Sequence, residues 1–328
     1  MNTLDRIAGE QTSEDRRGQL VLVAGLALAV ILVAFVLLAN TAIFTENLAT
    51  RDNGVGEHDA LGYRSSVVDG VGGIVDRENE NAVGSDDYDA VRSNINDSVG
   101  ALDEQLRGAA ARSAASARIN ESGLTYTEGR LIRQTDSSRE FRAANGDADW
   151  AVVTDTDGVR AFAMDVDPLA SGSPGSLSSV FTIIVNDTSD GTEWRVYVYE
   201  TGGDVAVAVE PDGGSQTQVC AVAGTTATLD LTAGTLDGEA CSGLDWAAGV
   251  TDEYSVQFAN GDEAQGTYDL TAAGGSSVFD PTLVNDDPSS GSPYAADAVY
   301  AVDVPVRFQT PELEYAATIR VAPGEHDA

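Results

Sequence analysis

The chain has 328 residues, of which 53 are acidic and 18 basic, for a formal net charge of −35. Every basic residue is arginine. Phosphate would be repelled by this charge and no Lys/Arg cluster offsets it, which argues against nucleic acid as a partner; a hydrophobic share of 42% argues against a disordered acidic tail.

The first element is an apolar run from Leu20 to Ala39, with no charge between Arg17 and Glu46. As a helix, such a run rises about 30 Å, the thickness of a bilayer hydrocarbon core. A secretory signal has an apolar region of about 7–15 residues and then a cleavage site. Here the run is longer, and apolar character resumes at Ala42, Ile43 and Phe44. The expectation is a retained transmembrane helix over residues 19–45, behind a cytoplasmic leader, residues 1–18. Arg16 and Arg17 abut its N-terminal end, so the positive-inside rule puts the N-terminus in the cytoplasm and the bulk of the chain outside. Membrane lipid is the first expected partner.

Residues 46–120 read as an extracellular helical region. A helix over 57–77 carries Leu61, Val67, Val68, Val71, Ile74 and Val75, and is weakened by Gly70, Gly72 and Gly73. Those glycines predict either a close helix–helix approach or a kink. Residues 78–84 read as a turn. A second helix over 85–118 has Tyr88, Val91, Ile95, Val99, Leu102, Leu106 and Ala109 at spacings of three and four. Ser85 is its expected cap, with Asp86 and Asp87 in the first turn, where the helix dipole favours anions.

After Asn120 the texture changes to runs of Val, Ile, Thr, Tyr and Phe between Gly/Asp/Ser/Pro clusters. Strands are expected near 124–134, 150–154, 159–166, 180–186, 194–199, 205–210, 218–223, 227–231, 254–258, 266–270, 298–308 and 315–321. Asp157-Gly158 and Gly202-Gly203 read as hairpin turns, and 167–178 and 280–293 as loops. Residues 121–328 are therefore expected to form a β-rich ectodomain of one or two sandwiches. Trp150, Trp194 and Trp246 fit its core better than a sugar-stacking platform.

Candidate chemistry is sparse. Cys220 and Cys241 cannot make a zinc site alone, since His58 and His326 lie far from them in sequence. On an external domain they read as a disulfide. His58 follows the apolar run and His326 falls near the C-terminal end, where fraying is expected; neither reads as the base of a nucleophilic triad. Asp155-Thr156-Asp157-Gly158 and Asp187-Thr188-Ser189-Asp190-Gly191 resemble fragments of calcium loops, but neither carries the ordered ligands ending in a bidentate Glu. Three Asn-x-Ser/Thr triplets, at Asn96, Asn120 and Asn186, are candidate N-glycosylation sites. No catalytic, cofactor or metal residue is assigned; the expectation is a protein that is not an enzyme and uses no cofactor.

Arg16-Arg17-Gly18-Gln19 followed at once by the apolar run resembles the leader junction of archaeal type IV prepilins. The resemblance implies cleavage by a prepilin peptidase between Gly18 and Gln19, an N-terminal helix kept for packing with other pilin-like subunits, and a β-rich head outside. Many pilins carry Glu at the fifth mature position; here it is Val23. The folded, acidic, lysine-free composition resembles that of proteins from salt-in halophiles, and the stretch from Arg17 to Arg51 resembles haloarchaeal membrane-anchored secreted proteins. The combined expectation is an α+β chain: one N-terminal transmembrane helix, a helical stalk, then an all-β sandwich-like ectodomain. It would act as a structural or adhesive pilin-like surface protein of a halophilic archaeon, a minor subunit of a pilus-like or secretion assembly. The alternative is an unprocessed type II anchored domain that binds a ligand or the S-layer.

Overall fold

The computed structural model describes residues 57–82, 87–251 and 253–326. The chain divides at Gly62–Tyr63 into two units; of the first, residues 57–62 are described and are helical, and the β part lies wholly in the second. Among the described residues no helix is long and apolar enough to cross a membrane. The segment Leu20 to Ala39, with Arg16, Arg17, Gly18 and Gln19, lies outside them.

Helix α1 is described over 57–81 and runs unbroken through Gly70, Gly72 and Gly73. The reason is local. A Cβ on Gly70 would lie 2.7 Å from Cδ2 of Leu102, so this glycine admits the second helix rather than kinking the first. Val67, Val71 and Val75 are fully buried at helical spacing. Leu61, expected on that face, is 64% exposed.

Helix α2 is Tyr88–Arg112. Ser85 lies outside the described residues; Asp87 is the N-cap, its carboxylate accepting the amide of Ala90 at 3.0 Å. The buried stripe is Val91, Ile95, Val99 and then Asp103. The expected helix to residue 118 is corrected: α2 stops at Arg112, and Ser116–Ile119 is strand β1. Ala114 takes a left-handed φ of 56° at the junction, and the amide of Ala115 closes on the carbonyl of Ala110. Helix propensity favours an Ala/Arg-rich continuation. Pairing of β1 with the strand at 306–309, and burial of Ala117 and Ile119, override it. The second helix therefore leads directly into the sheet.

The remaining strands are β2 Thr125–Gln134, β3 Trp150–Thr156, β4 Val159–Pro168, β5 Phe181–Asp187, β6 Glu193–Thr201, β7 Asp204–Glu210 and β8 Thr217–Ala223. Then come β9 Ala227–Asp230, β10 Thr235–Leu236, β11 Glu239–Ala240, β12 Tyr254–Ala259, β13 Ala264–Ala273, β14 Tyr294–Gln309 and β15 Glu314–Val321. Nine of the described strands make one antiparallel sheet in the order β1-β14-β2-β13-β4-β9-β10-β11, with β15 also on β14. Six make the other, β3-β12-β5-β6-β7-β8. One hydrophobic core takes side chains from both sheets, from Ile132, Phe162 and Leu270 on the first to Val152, Val196 and Phe258 on the second. The fold is α+β with a sandwich-like β part. Trp150, Trp194 and Trp246 all belong to this core.

Of the two expected hairpin turns, one holds and one changes. Gly202-Gly203, with φ of 66° and 94°, joins the paired strands β6 and β7. Asp157-Gly158 is not a hairpin turn: β3 and β4 belong to different sheets, and this turn carries the chain between them. Its glycine is required by packing, since a Cβ on Gly158 would lie 2.4 Å from the hydroxyl of Tyr300. The stretch 167–178 folds onto the outer face of the six-stranded sheet. The amide of Gly172 bonds Glu200, and Leu177 packs with Tyr197 and Tyr199.

Candidate functional site

A concavity of about 750 Å³ opens at the end of the sandwich where β3 crosses to β4, and Asp157, Trp246, Tyr254, Tyr300, Glu325 and His326 line it. Sequence placed strands at Tyr254 and Tyr300 but read His326 as frayed. It is docked instead. Its Nδ1 faces the carbonyl of Thr232 at 3.1 Å and its Nε2 faces Oδ1 of Asp245 at 2.9 Å. Both ring nitrogens thus have a protein oxygen as partner.

The segment before His326 is held as firmly. Gly324 accepts the amide of Ala161 at 2.8 Å, and Arg160 and Glu325 form an antiparallel bridge. Ala161, at φ 52°, interrupts the alternation of β4, so that Val159 and Phe162 both enter the core. Arg160 between them leaves it. Its Nη1 bonds Asp76 of α1 at 3.0 Å and the carbonyl of Pro323 at 2.7 Å, and its Nη2 bonds the carbonyl of Val299 at 3.2 Å. Burial draws this guanidinium down from its ordinary range, and Asp76 opposes the shift.

Tyr300 lies between two guanidiniums, with those of Arg160 and Arg320 at 5.9 and 5.8 Å from its ring centroid. Its hydroxyl donates to Oε1 of Glu325 at 2.7 Å, and burial pushes that hydroxyl up. Burial also pushes the carboxyl of Glu325 up. Hydrogen bonds from Arg320 and Tyr300 outweigh it and hold Glu325 below its ordinary range. Tyr254, whose hydroxyl accepts the amide of Val159 at 2.8 Å, is pushed to about 12, chiefly by burial. Two of the three acids lining the cavity are therefore committed, Asp245 to His326 and Glu325 to Arg320, while Asp157 makes no ion pair among the described residues. Chemically the arrangement is a clasp for residues 322–326.

The two calcium-like stretches are brought together, Asp157 facing Thr188, Ser189 and Glu253 around a second concavity. Asp187 is turned inward to build its own turn. Oδ1 accepts the amide of Ser189 at 2.8 Å and its hydroxyl at 2.6 Å, and Oδ2 accepts the amide of Thr251 at 3.4 Å. These bonds hold its carboxyl down at about 2. Among the described residues no group of three or more His, Cys, Asp or Glu is placed to hold a metal ion.

Cys220 on β8 and Cys241 just past β11 are joined by a disulfide, with their Cα atoms 5.5 Å apart. The bond ties the edge strand of one sheet to the terminal hairpin of the other. The three sequons are far from equivalent. Asn120 is exposed on the turn between β1 and β2, Asn96 is half-buried on α2, and Asn186 is half-buried on β5.

Buried polar groups are what sequence reasoning missed. Asn79, Asp103 and Arg160 are each at most 3% exposed. Only Asp103 leaves a sequence signal, since it continues the Val91, Ile95, Val99 stripe at a spacing of four. Its Oδ1 accepts the amide of Ile119 at 2.6 Å, tying α2 to β1.

The chain belongs to a family of unknown function (DUF7261), whose model matches residues 14–181. No curated protein and no solved structure matches it.

Proposed function

We propose that the chain is a membrane-anchored, pilin-like surface protein of a halophilic archaeon, with its N-terminus cytoplasmic and its sandwich outside the cell. The observation that carries this reading is the junction Arg16-Arg17-Gly18-Gln19 directly before the apolar run from Leu20 to Ala39. The family match agrees in extent: it starts at residue 14, just ahead of the junction, and runs through the apolar stretch and both helices to β5. A disulfide suits an oxidising exterior. The acidic, lysine-free composition suits molar salt, in which charges are screened within about 3 Å. On this reading the role is structural or adhesive, and its partners are lipid, a prepilin peptidase and other pilin-like subunits.

Val23, at the position where many pilins carry Glu, favours a second reading: an unprocessed type II anchor presenting a domain that binds a ligand or the S-layer. N-terminal sequencing of the protein from native membranes separates the two. A mature start at Gln19 supports the pilin-like reading, and retention of Met1–Gly18 overturns it in favour of the plain anchor. Replacing Gly18 by a bulky residue should block processing and leave insertion intact, because neither the apolar run nor the flanking arginines change.

A further inference from the structure

We infer that Asn120, alone of the three sequons, is an N-glycan acceptor; this rests on the external placement proposed above. An acceptor site is defined jointly by the asparagine amide and the hydroxyl two residues on, so both groups must be accessible and uncommitted. At Asn120 they are together. The side chain is exposed, the hydroxyl of Ser122 donates to Oδ1 of Asn120 itself at 3.0 Å, and Nδ2 makes no hydrogen bond among the described residues. Gly123 leaves that nitrogen open, since a Cβ there would stand 2.7 Å from it. The backbone is fixed meanwhile, the amide of Asn120 donating to the carbonyl of Pro305 at 2.9 Å.

The other two sites fail on the same criteria. Asn96 is half-buried within α2, its Oδ1 accepts from the hydroxyl of Tyr126 at 3.5 Å, and the hydroxyl of Ser98 is taken by Arg77 and Glu78. Asn186 lies on β5 between β12 and β6, with Oδ1 buried, and the hydroxyl of Thr188 donates to the carbonyl of Glu253 at 2.8 Å. At Asn120 the transfer is a substitution at the anomeric carbon of a lipid-linked glycosyl phosphate. The C1–Nδ2 bond forms as the C1–O bond breaks, Nδ2 gives up one proton, and the phosphate leaves with the bonding electron pair.

The test is mass spectrometry of the full chain from native membranes, cut at arginine. The peptide Ile119–Arg130 should carry sugar, while Ser93–Arg107 and Ala161–Arg195, which hold Asn96 and Asn186, should be bare. Both Asn120→Gln and Ser122→Ala should remove the sugar mass from the intact protein; the second keeps the asparagine and so reads the acceptor rule rather than folding. Protease applied to intact cells runs in parallel against the loop at 280–293. If that loop is cut and Asn120 is bare, this inference falls alone, as it does if sugar appears on Asn96 or Asn186 instead. If the loop is protected on sealed cells, the external placement falls and takes this inference with it.

Discussion

The side-chain amide of Asn79 takes the place of a strand against Val299: its Nδ2 donates to the Val299 carbonyl and its Oδ1 accepts the Val299 amide, both at 2.9 Å. Val299 lies past Val302, the last residue of β14 that β15 pairs. One residue at the end of α1 therefore satisfies main-chain groups that the sheet leaves unpaired, and it is only 3% exposed. Leaving a buried polar group unpaired costs about 1–3 kcal/mol. The Val299 carbonyl keeps its bond from Arg160, so the loss falls mainly on the amide. Asn79→Ala should lower stability by about 2 kcal/mol, read as the denaturant midpoint in multimolar KCl. Asn79→Asp should do no better, because it loses the donor and buries a charge. A midpoint unmoved in both variants would mean that water reaches Val299.

The glycines of α1 should split. Gly73 is exposed, and a Cβ added to it would meet nothing within 4 Å. Gly73→Ala should therefore stabilise by about 0.5–1 kcal/mol through the lost flexibility of the unfolded chain. Gly70 sits against Leu102, so Gly70→Leu should cost about 1–3 kcal/mol by overpacking the helix–helix contact. The two variants differ in sign, which a pair of thermal melts decides. Equal effects would show that Gly70 is not a packing site.

Much of the β part was legible because its strands are bounded by Gly, Pro and Asp clusters and read as β-branched or aromatic runs. The twelve expected strands appear with ends shifted by a few residues, as in Val205–Glu210 against Asp204–Glu210. What stayed hidden depends on distant partners. Nothing local in Ser116–Ile119 distinguishes a strand from the end of an Ala-rich helix until β14 is there to pair with it. Asp157-Gly158 has hairpin chemistry, yet the strands it joins enter different sheets, which no turn signal encodes. Asn79 and Arg160 look like surface residues, and their burial follows from where α1 lands. His326 looked frayed because the acceptors that hold it, Thr232 and Asp245, are far away in sequence. The candidate site was least legible for the same reason.

Asp187 gives a pH dependence of known sign. Its ordinary carboxyl value is 3.8, and the hydroxyl and amide of Ser189 hold it down at about 2 in the fold. A depressed folded value contributes stability above the unfolded value, and that contribution is lost as pH falls through the folded one. The melting temperature should thus decline between about pH 4 and pH 2, and the decline should be shallower in Asp187→Ala. Parallel slopes for the two proteins over that range would show that Asp187 takes no part in acid unfolding.

The disulfide spans a sequence separation of 21 residues and links β8 to the segment after β11. Constraining a loop of this size in the unfolded chain stabilises by about 3 kcal/mol in the entropy model. Cys220→Ser with Cys241→Ser should lower the denaturant midpoint accordingly and loosen the β10–β11 hairpin first. Hydrogen exchange should then rise at Leu236 and Leu244 ahead of Val256 in the sheet centre. Uniform loss of protection would show that the bond serves the whole sandwich rather than its edge.

The charge makes the last prediction, and two opposing effects decide its sign. The arginines make ion pairs, such as Arg307–Glu314 and Arg92–Asp89, and salt weakens these. Exposed pairs are worth only about 0–1 kcal/mol each. Against them stands a net charge of −35, whose self-repulsion acts over about 30 Å at 0.01 M salt and over about 3 Å at 1 M. Repulsion among so many unpaired carboxylates outweighs a few exposed pairs, so screening should stabilise the fold. The melting temperature of the detergent-solubilised chain should rise steeply from dilute buffer to multimolar KCl. If screening is the cause, tetramethylammonium chloride should give the same rise at equal ionic strength up to about 0.5 M. A rise with KCl alone would point to specific cation binding instead. A melting temperature that stays level or falls would mean that the ion pairs win, and that the acidic surface is adapted to a cationic partner rather than to salt.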